Sequence, residues 1–169
     1  MSKPVTYRFS FGPSNISEGG DPFGPDVRAA FAHDRKFALY KQLGFDGVQF
    51  HDDDVVPGLD DLKPAQIEAR AKAVRKMLRD EGLTPEFVAP RLWFASQTID
   101  GAYTSNRAAD RRYAWDRTRK CLDITRAIGC RAVVLWLARE GSYTRESKDA
   151  RLAYRRLLET VDAILAYDS

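Results

Sequence analysis

CRAVVLWL, the stretch from Cys130 to Leu137, is the most strand-like segment of the chain. Its valine, leucine and tryptophan side chains favour a strand that is covered on both faces. Gly129 precedes it, as expected of a glycine that ends a helix, and the polar stretch AREGSYTRESKD follows it as a loop. The segment therefore predicts a strand between two helices, which is the arrangement of a parallel sheet.

The same order of strand, loop and helix is predicted four times along the chain. Strands are predicted at Thr6 to Phe11, Gly47 to Phe50, Glu86 to Ala89 and Cys130 to Leu137. Helices are predicted at about Val27 to Leu43, from Pro64 to the stop at Gly82, at about Ala109 to Ile128 and at about Lys148 to Tyr167. Two of them carry an apolar stripe at helical spacing: Ile67, Ala71, Val74 and Leu78 in the second helix, and Tyr154, Leu157, Leu158, Val161 and Leu165 in the last. Strand-like segments recur every ~40 residues, the length of a βα unit. The predicted fold class is α/β, with four βα units that form an open doubly wound sheet or half of an eight-stranded barrel, whose full length is typically ~250 residues.

Composition and charge limit the classes of function. The 169 residues suffice for one domain, and 44% apolar and 30% charged residues are typical of soluble globular proteins. The 27 basic and 24 acidic residues are interspersed, which argues against nucleic-acid binding, and no stretch approaches the ~18 apolar residues of a membrane span. Cys121 and Cys130 lack a CxxC motif and are expected to be reduced core thiols. Because no export signal is recognisable at the N-terminus, a cytoplasmic location is expected.

VQFHDDDVVP, residues Val48 to Pro57, carries the first candidate site. His51 follows the second predicted strand, and Asp54 lies close enough in a turn for its carboxylate to accept a hydrogen bond from the imidazole. Such a carboxylate fixes the tautomer of the ring and leaves the other nitrogen for acid–base chemistry. The alternative is a solvated turn, because aspartate is common in turns for local reasons. Asp52 to Asp54 alone are not expected to hold magnesium, since adjacent side chains of an extended segment point in different directions.

Aromatic side chains follow the later strands. Trp93 and Phe94 come after the third predicted strand and Trp136 lies near the end of the fourth, so all three are expected near His51 at the carboxyl edge of the sheet. Aromatic faces beside polar groups suit a sugar, whose C–H faces pack on rings while its hydroxyls form hydrogen bonds. Taken singly, each ring is equally well explained as cover for the end of the sheet. The loop FGPSNISEGGDPFG matches neither Gly-rich nucleotide motif, so a phosphate site is not expected.

Four segments, DPFG, FHDDDVVP, ADRRYAW and LWLAREG, resemble in their order and intervals the shorter, actinobacterial type of xylose isomerase. The similarity extends from about Tyr7 to Tyr167. FHDDD together with the later W..REG is specific for that family, whereas DPFG alone is a weak match. The resemblance implies that residues 1–169 form a single (βα)4 half-barrel, the first half of a TIM (β/α)8 barrel. It also implies an aldose–ketose isomerase, of the D-xylose to D-xylulose type, that works by ring opening and a metal-assisted hydride shift.

The resemblance assigns roles to individual residues. His51 matches the histidine that binds the ring oxygen and helps to open the cyclic sugar, and Asp54 matches the carboxylate that orients it. The aromatic residue of DPFG would reach into the site of a neighbouring subunit, and the later tryptophan would form a wall for the substrate. The third loop would supply the family's pocket phenylalanine. The implied substrate-binding residues are Phe23, Trp93, Phe94 and Trp136.

Differences from the family pattern concern the sugar pocket and the metal site. Ser14 stands where the family usually carries a tryptophan, and Pro90 and Arg91 replace small polar residues, which leaves the identity of the sugar open. The resemblance implies two divalent ions, Mg²⁺ or Mn²⁺, held by carboxylates and a histidine of later strands. Those positions do not occur in a chain that ends at Ser169, so no metal ligand is predicted within it.

Three functions are compatible with the sequence. The first is the N-terminal half of a xylose isomerase-like enzyme, which carries the ring-opening pair and is inactive without the metal-bearing half. The second is a sugar epimerase or another isomerase of the same barrel superfamily, and the third is a non-catalytic half-barrel unit. Because a half-barrel has open strand edges and an uncovered inner face, we expect a homo-oligomer or a complementing C-terminal half as partner.

Overall fold

The structure is a computed structural model, and it describes residues 6–20, 24–141 and 144–169. In this part of the chain strands and helices alternate, as the sequence predicts. The strands are β1 (Ser10–Phe11), β2 (Gly47–His51) and β3 (Thr84–Ala89). The main helices are α1 (His33–Gln42), the short α2 (Asp52–Val55), α3 (Pro64–Asp80), α4 (Ala108–Ile128) and α5 (Ala150–Asp168).

The strands form a parallel sheet in the order β1-β2-β3. Gly47 is paired with Ser10 on one side and with Thr84 on the other. A Cβ atom at Gly47 would lie 3.1 Å from the Thr84 carbonyl oxygen and 3.3 Å from the Ser10 Cβ, so glycine allows all three strands to approach closely. Because the strands are parallel, their carboxyl ends meet at one edge, where His51 is paired with Ala89.

The fourth predicted strand is less regular than its sequence suggests. Val133 forms a single parallel bridge with Val88 of β3. The Val88 N–H donates to the Ala132 carbonyl at 3.1 Å, and the Val134 N–H donates to the Val88 carbonyl at 3.0 Å. The position of the segment beside β3 follows the prediction, but a regular strand over Cys130 to Leu137 does not form. Within the described ranges no strand borders its other edge, so nothing extends the ladder on that side.

The first strand and the first helix are both shorter than predicted. The strand begins at Ser10 instead of Thr6, and the helix begins at His33 instead of Val27. Residues 24–30 are exposed, and Val27 is 72% exposed, so no apolar face is buried there to stabilise additional helical turns.

Helices α1, α3 and α4 pack with the sheet around the main hydrophobic core. The apolar stripe predicted for the second long helix is confirmed, because its four members in α3 are all buried. Full burial of each large aliphatic side chain contributes roughly 1.5–3 kcal/mol. Cys121 and Cys130 are free and buried in the same core, as predicted. The stripe consists of Ile67, Ala71, Val74 and Leu78.

Few side chains of helix α5 are buried. Ala153 and Ile164 are its buried positions, whereas Tyr154, Leu158 and Leu165, which share one face, are exposed. The stripe predicted for this helix is therefore largely uncovered. Among the helices of the described ranges, none combines the length and apolar character needed to cross a membrane.

Candidate active site

The His51–Asp54 pair is formed at the carboxyl end of β2. His51 is the last residue of β2 and precedes the first turn of α2, in which Asp54 lies. Asp54 Oδ2 lies 2.9 Å from His51 Nδ1 and also accepts the His51 backbone N–H at 2.9 Å. One carboxylate oxygen thus caps the short helix and orients the imidazole ring. The three-residue spacing produces this geometry because the chain turns into a helix directly after the strand.

The environment of Asp54 favours its ionised form. Burial acts to raise the pKa of the Asp54 carboxyl, but the hydrogen bonds from His51 and the charge of Arg91 outweigh it, so this pKa lies below its ordinary value. An ionised carboxylate at Nδ1 selects the tautomer with the proton on Nδ1. The Nε2 atom is then available to act on a substrate.

The three aspartates do not form a solvated turn. Asp52 is fully buried, and Arg117 donates to both of its carboxylate oxygens. Asp53 Oδ1 accepts from Arg91 Nε at 2.7 Å, and Asp54 Oδ1 accepts from Arg91 Nη2 at 2.9 Å. Each carboxylate is therefore held by a specific basic partner.

Arg91 and Arg117 were not identified as site residues from the sequence. Arg91 was noted only as a replacement for a small polar residue in the loop after β3. Because β2 and β3 are neighbours, a cation just beyond β3 lies beside the acidic run just beyond β2. That adjacency was a usable signal for Arg91. Arg117 lies on the buried face of α4, where a cation needs an anionic partner, but the helical pattern does not name that partner.

Three of the predicted aromatic residues lie together beside His51. The Trp93 ring meets the His51 ring edge-on, with 5.2 Å between centroids. Trp93 is 6.3 Å from Phe94 and 6.3 Å from Trp136, measured between ring centroids. Phe94 and Trp136 are 73% and 63% exposed, so they do not simply cover the end of the sheet. We call Trp93, Phe94 and Trp136 the aromatic wall.

Phe23 and Ser14 are the other two positions that the family resemblance singles out. Phe23 lies outside the described residues. Ser14 is exposed in the short turn that follows β1, and no contact places it at His51. The part of the sugar pocket that the family tryptophan would form is therefore not supplied by Ser14.

Glu140, which follows the fourth predicted strand, binds the backbone of the loop that carries Trp93 and Phe94. Its carboxylate accepts the backbone N–H groups of Ala102, Tyr103 and Thr104 at 3.1, 3.0 and 2.9 Å. The Thr104 hydroxyl donates to the same carboxylate at 2.7 Å. The glutamate of the REG motif thus holds the loop after β3 in place.

The described residues do not fit a divalent metal ion. Within the described ranges no three or more His, Cys, Asp or Glu side chains are grouped to hold one. The carboxylates of Asp52, Asp53 and Asp54 are bound by guanidinium groups, so a cation would have to displace Arg91 or Arg117. A magnesium site needs several free oxygen ligands, which this arrangement does not offer.

The family follows from a match over most of the chain. A family model described as "Xylose isomerase-like TIM barrel" matches residues 37–168. The chain belongs to the xylose isomerase-like TIM barrel family. The match includes β2, β3, α4 and α5, and with them His51, Asp54 and the aromatic wall. In a TIM barrel the carboxyl edge of the strands carries the active site, and this is the edge on which the pair lies.

Solved structures show how much of this family's barrel is present. A D-psicose 3-epimerase determined in the presence of D-fructose has a TM-score of 0.61 and 15% identity, covering 96% of this chain and 48% of that one. A D-psicose 3-epimerase from Clostridium cellulolyticum H10 with D-tagatose has a TM-score of 0.65 and 11% identity, with the same 96% and 48% coverage. A candidate xylose isomerase from Rhodospirillum rubrum ATCC 11170 has a TM-score of 0.62 and 21% identity, covering 80% and 44%. The chain thus spans about half the length of these structures. The family match and the parallel α/β architecture confirm the predicted fold class, that of part of a xylose isomerase-like TIM barrel.

Proposed function

We propose that this chain carries the sugar-binding and ring-opening part of an aldose–ketose isomerase site of the D-xylose to D-xylulose type. The observation that carries the proposal is the His51–Asp54 pair at the carboxyl edge of the sheet, with the Trp93 ring against the imidazole. Membership of the xylose isomerase-like family supports it. The exposed rings of Phe94 and Trp136 supply a surface on which the C–H face of a sugar can pack.

Ring opening is the step that these residues are suited to perform. Opening a cyclic aldose moves one proton from the anomeric hydroxyl to the ring oxygen while the bond between C1 and the ring oxygen breaks. His51 first accepts the proton of the anomeric hydroxyl on Nε2 and then donates it to the ring oxygen, so the imidazole returns to its starting state and no net proton is gained or lost. Asp54 holds Nδ1–H throughout and stabilises the ring in either protonation state.

The later hydride shift lies outside what this chain's residues support. The family resemblance implies two divalent ions for that step, and the carboxylates of the acidic run are bound by arginines. We therefore assign to residues 1–169, as one half-barrel, the binding and opening of the sugar. A complementing C-terminal half or a second copy of the chain is the proposed partner.

Sugar epimerisation is the second candidate. Two of the solved structures with this fold are D-psicose 3-epimerases, each matching 96% of the chain. Ser14, where xylose isomerases usually carry a tryptophan, favours a changed pocket. An epimerase interconverts two ketoses and forms no ketose from an aldose, so substrate profiling separates the two activities. The third candidate, a non-catalytic half-barrel, predicts neither isomerase nor epimerase activity.

Mutarotation of D-xylose tests ring opening directly, because it requires no hydride shift. The rate of exchange between the two anomers is measured by NMR in the presence of the purified chain, with EDTA. General acid–base catalysis by His51 is expected to accelerate exchange by about 10² or more per site relative to buffer imidazole. His51→Gln is expected to lose this acceleration, whereas His33→Gln, which changes the other histidine, retains it. Equal rates for His51→Gln and the unmodified chain would refute the ring-opening assignment.

Isomerisation is assayed separately with Mg²⁺ or Mn²⁺, using EDTA as the control. We expect no formation of D-xylulose by the chain alone. Metal-dependent formation of D-xylulose would mean that a complete site assembles from this chain, and the assignment of only ring opening to it would be wrong.

A further inference from the structure

Arg91 links the two sides of the candidate site. Its side chain is mostly buried, and its guanidinium donates from Nε to Asp53 at 2.7 Å and from Nη2 to Asp54 at 2.9 Å. Its backbone N–H donates to Asp52 Oδ1 at 3.0 Å. A single residue of the loop after β3 therefore contacts all three aspartates of the acidic run.

The same guanidinium faces the aromatic wall. Its central carbon lies 5.9 Å from the Trp93 ring centroid and 5.5 Å from that of Phe94, within the range of a cation–π contact. Trp93 in turn contacts His51, and His51 is bonded to Asp54. The side chains of His51, Asp54, Arg91 and Trp93 thus form a closed ring of contacts.

We propose that Arg91 is a positioning residue for the His51–Asp54 pair, and that it holds the pair and the aromatic wall in one fixed arrangement. Asp54 divides its two oxygens between two donors, with Oδ2 bonded to His51 and Oδ1 bonded to Arg91. Rotation of the carboxylate away from the imidazole would break the bond to Arg91. The catalytic importance of this arrangement rests on the proposed ring-opening function, but the arrangement itself does not.

Arg91 also supplies positive charge beside the acidic run. Its guanidinium lies against one carboxylate oxygen of Asp53 and one of Asp54, at 2.7 and 2.9 Å. Without it, Asp54 Oδ1 would lose its guanidinium donor, and the carboxylate would be held to the imidazole through Oδ2 alone. The other titratable groups that surround the pair are Asp52 and Asp53 of α2, Arg117 of α4, and His33 and Tyr40 of α1.

The hydrogen bond between His51 Nδ1 and Asp54 Oδ2 tests this role without any activity assay. The chain contains two histidines, so the proton NMR signal of Nδ1–H is assigned to His51 by comparison with His33→Gln. In Arg91→Gln this signal is expected to lose most of its intensity, because Asp54 Oδ1 loses the donor that prevents rotation of the carboxylate. Arg119→Gln is the matched control, since it removes one positive charge from an exposed ion pair on α4. The His51 signal is expected to be retained in this control.

Arg91→Lys separates charge from geometry and serves if Arg91→Gln does not fold. Lysine keeps the cation but loses the planar fork that spans Asp53 and Asp54. The Nδ1–H signal of His51 is expected to weaken, and mutarotation to slow at least about fivefold through a lower turnover number, with the apparent KM for the sugar little changed. An unchanged Nδ1–H signal in folded Arg91→Gln, or an unchanged turnover number in Arg91→Lys, would overturn the proposal.

The two proposals fail in different ways. If the unmodified chain does not accelerate mutarotation but Arg91→Gln loses the Nδ1–H signal of His51, ring opening is refuted and the positioning of the pair by Arg91 stands. If mutarotation depends on His51 but Arg91→Gln leaves both the signal and the rate unchanged, ring opening stands and the role of Arg91 is refuted.

Discussion

Arg117 of α4 binds Asp52 of α2 across 65 positions of the chain, donating to both carboxylate oxygens. Its Nη1 also donates to Asp60 Oδ2 at 2.9 Å. Burial raises the pKa of the Asp52 carboxyl, and the hydrogen bonds and charge of Arg117 act against that rise. The interaction fixes the acidic run to the long helix, and with it the position of the neighbouring His51–Asp54 pair.

Removal of Arg117 is expected to be strongly destabilising. Arg117→Ala leaves the fully buried Asp52 without its counter-ion, and the free energy of unfolding should fall by about 3–5 kcal/mol. Urea unfolding followed by circular dichroism measures the change. Arg119→Ala, which breaks an exposed ion pair with Asp116 one turn of helix away, should alter stability by less than about 1 kcal/mol. Similar losses for the two variants would show that Asp52 does not depend on Arg117.

The depressed pKa of Asp54 predicts a defined dependence of stability on pH. A carboxyl whose pKa is lowered on folding stabilises the protein above its unfolded pKa, here about 3.8, and this contribution is lost as the pH falls through the lower folded pKa. Asp54→Asn lacks the contribution at every pH. The difference in unfolding free energy between the two proteins should therefore shrink as the pH falls below about 3.8. A difference that grows on acidification below this pH would contradict the assigned direction of the shift.

Tyr40 carries a buried hydroxyl without a hydrogen-bond partner among the described residues. Burial, together with the negative charge of Asp54, raises its pKa to about 12. Tyr40→Phe removes the unpaired hydroxyl and should leave stability unchanged or raise it by about 1 kcal/mol. Tyr103→Phe is the matched comparison, because the buried Tyr103 hydroxyl is hydrogen-bonded to Thr118 Oγ1 at 2.8 Å and its loss should cost about 1 kcal/mol. Thermal unfolding of both variants measures these changes in stability. A clear loss of stability in Tyr40→Phe would mean that the Tyr40 hydroxyl has a hydrogen-bond partner.

Tryptophan fluorescence should report sugar binding at the aromatic wall. The chain has three tryptophans, two of which, Trp93 and Trp136, belong to the wall, while Trp115 lies on α4 against Tyr167. In Trp115→Phe, titration with D-xylose is expected to change the emission, because a sugar packs on the remaining indoles. In the Trp93→Phe, Trp136→Phe double variant, which retains only Trp115, the same titration should leave the emission unchanged. If the emission of the double variant changes on titration, the sugar binds away from the aromatic wall.

Local sequence patterns predicted those parts of the molecule that depend on local interactions. The α3 stripe and the end of α4 at Gly129 follow from helical spacing and from a left-handed glycine at φ 78°. The contact between His51 and Asp54 follows from a separation of three residues at the end of a strand. Each of these features is determined within one element or one turn of chain.

Features that depend on distant partners were not predicted. CRAVVLWL has the composition of a strand, yet its ladder is limited by the strands available beside it. Arg117 lies 65 positions from Asp52 and Arg91 lies 37 positions from Asp54, so no local periodicity distinguishes these arginines from the other basic residues. The charges of the acidic run were visible in the sequence, but their neutralisation depends on the tertiary fold.

The attachment of the Ala102 to Thr104 backbone to Glu140 has a consequence for hydrogen exchange. These amides belong to a loop, and amides in loops normally exchange rapidly with solvent. Because a side chain accepts all three N–H groups, their exchange should require release of Glu140 instead of the unfolding of a helix or strand. The rate of deuterium uptake at these positions therefore reports how often the loop that carries Trp93 and Phe94 detaches.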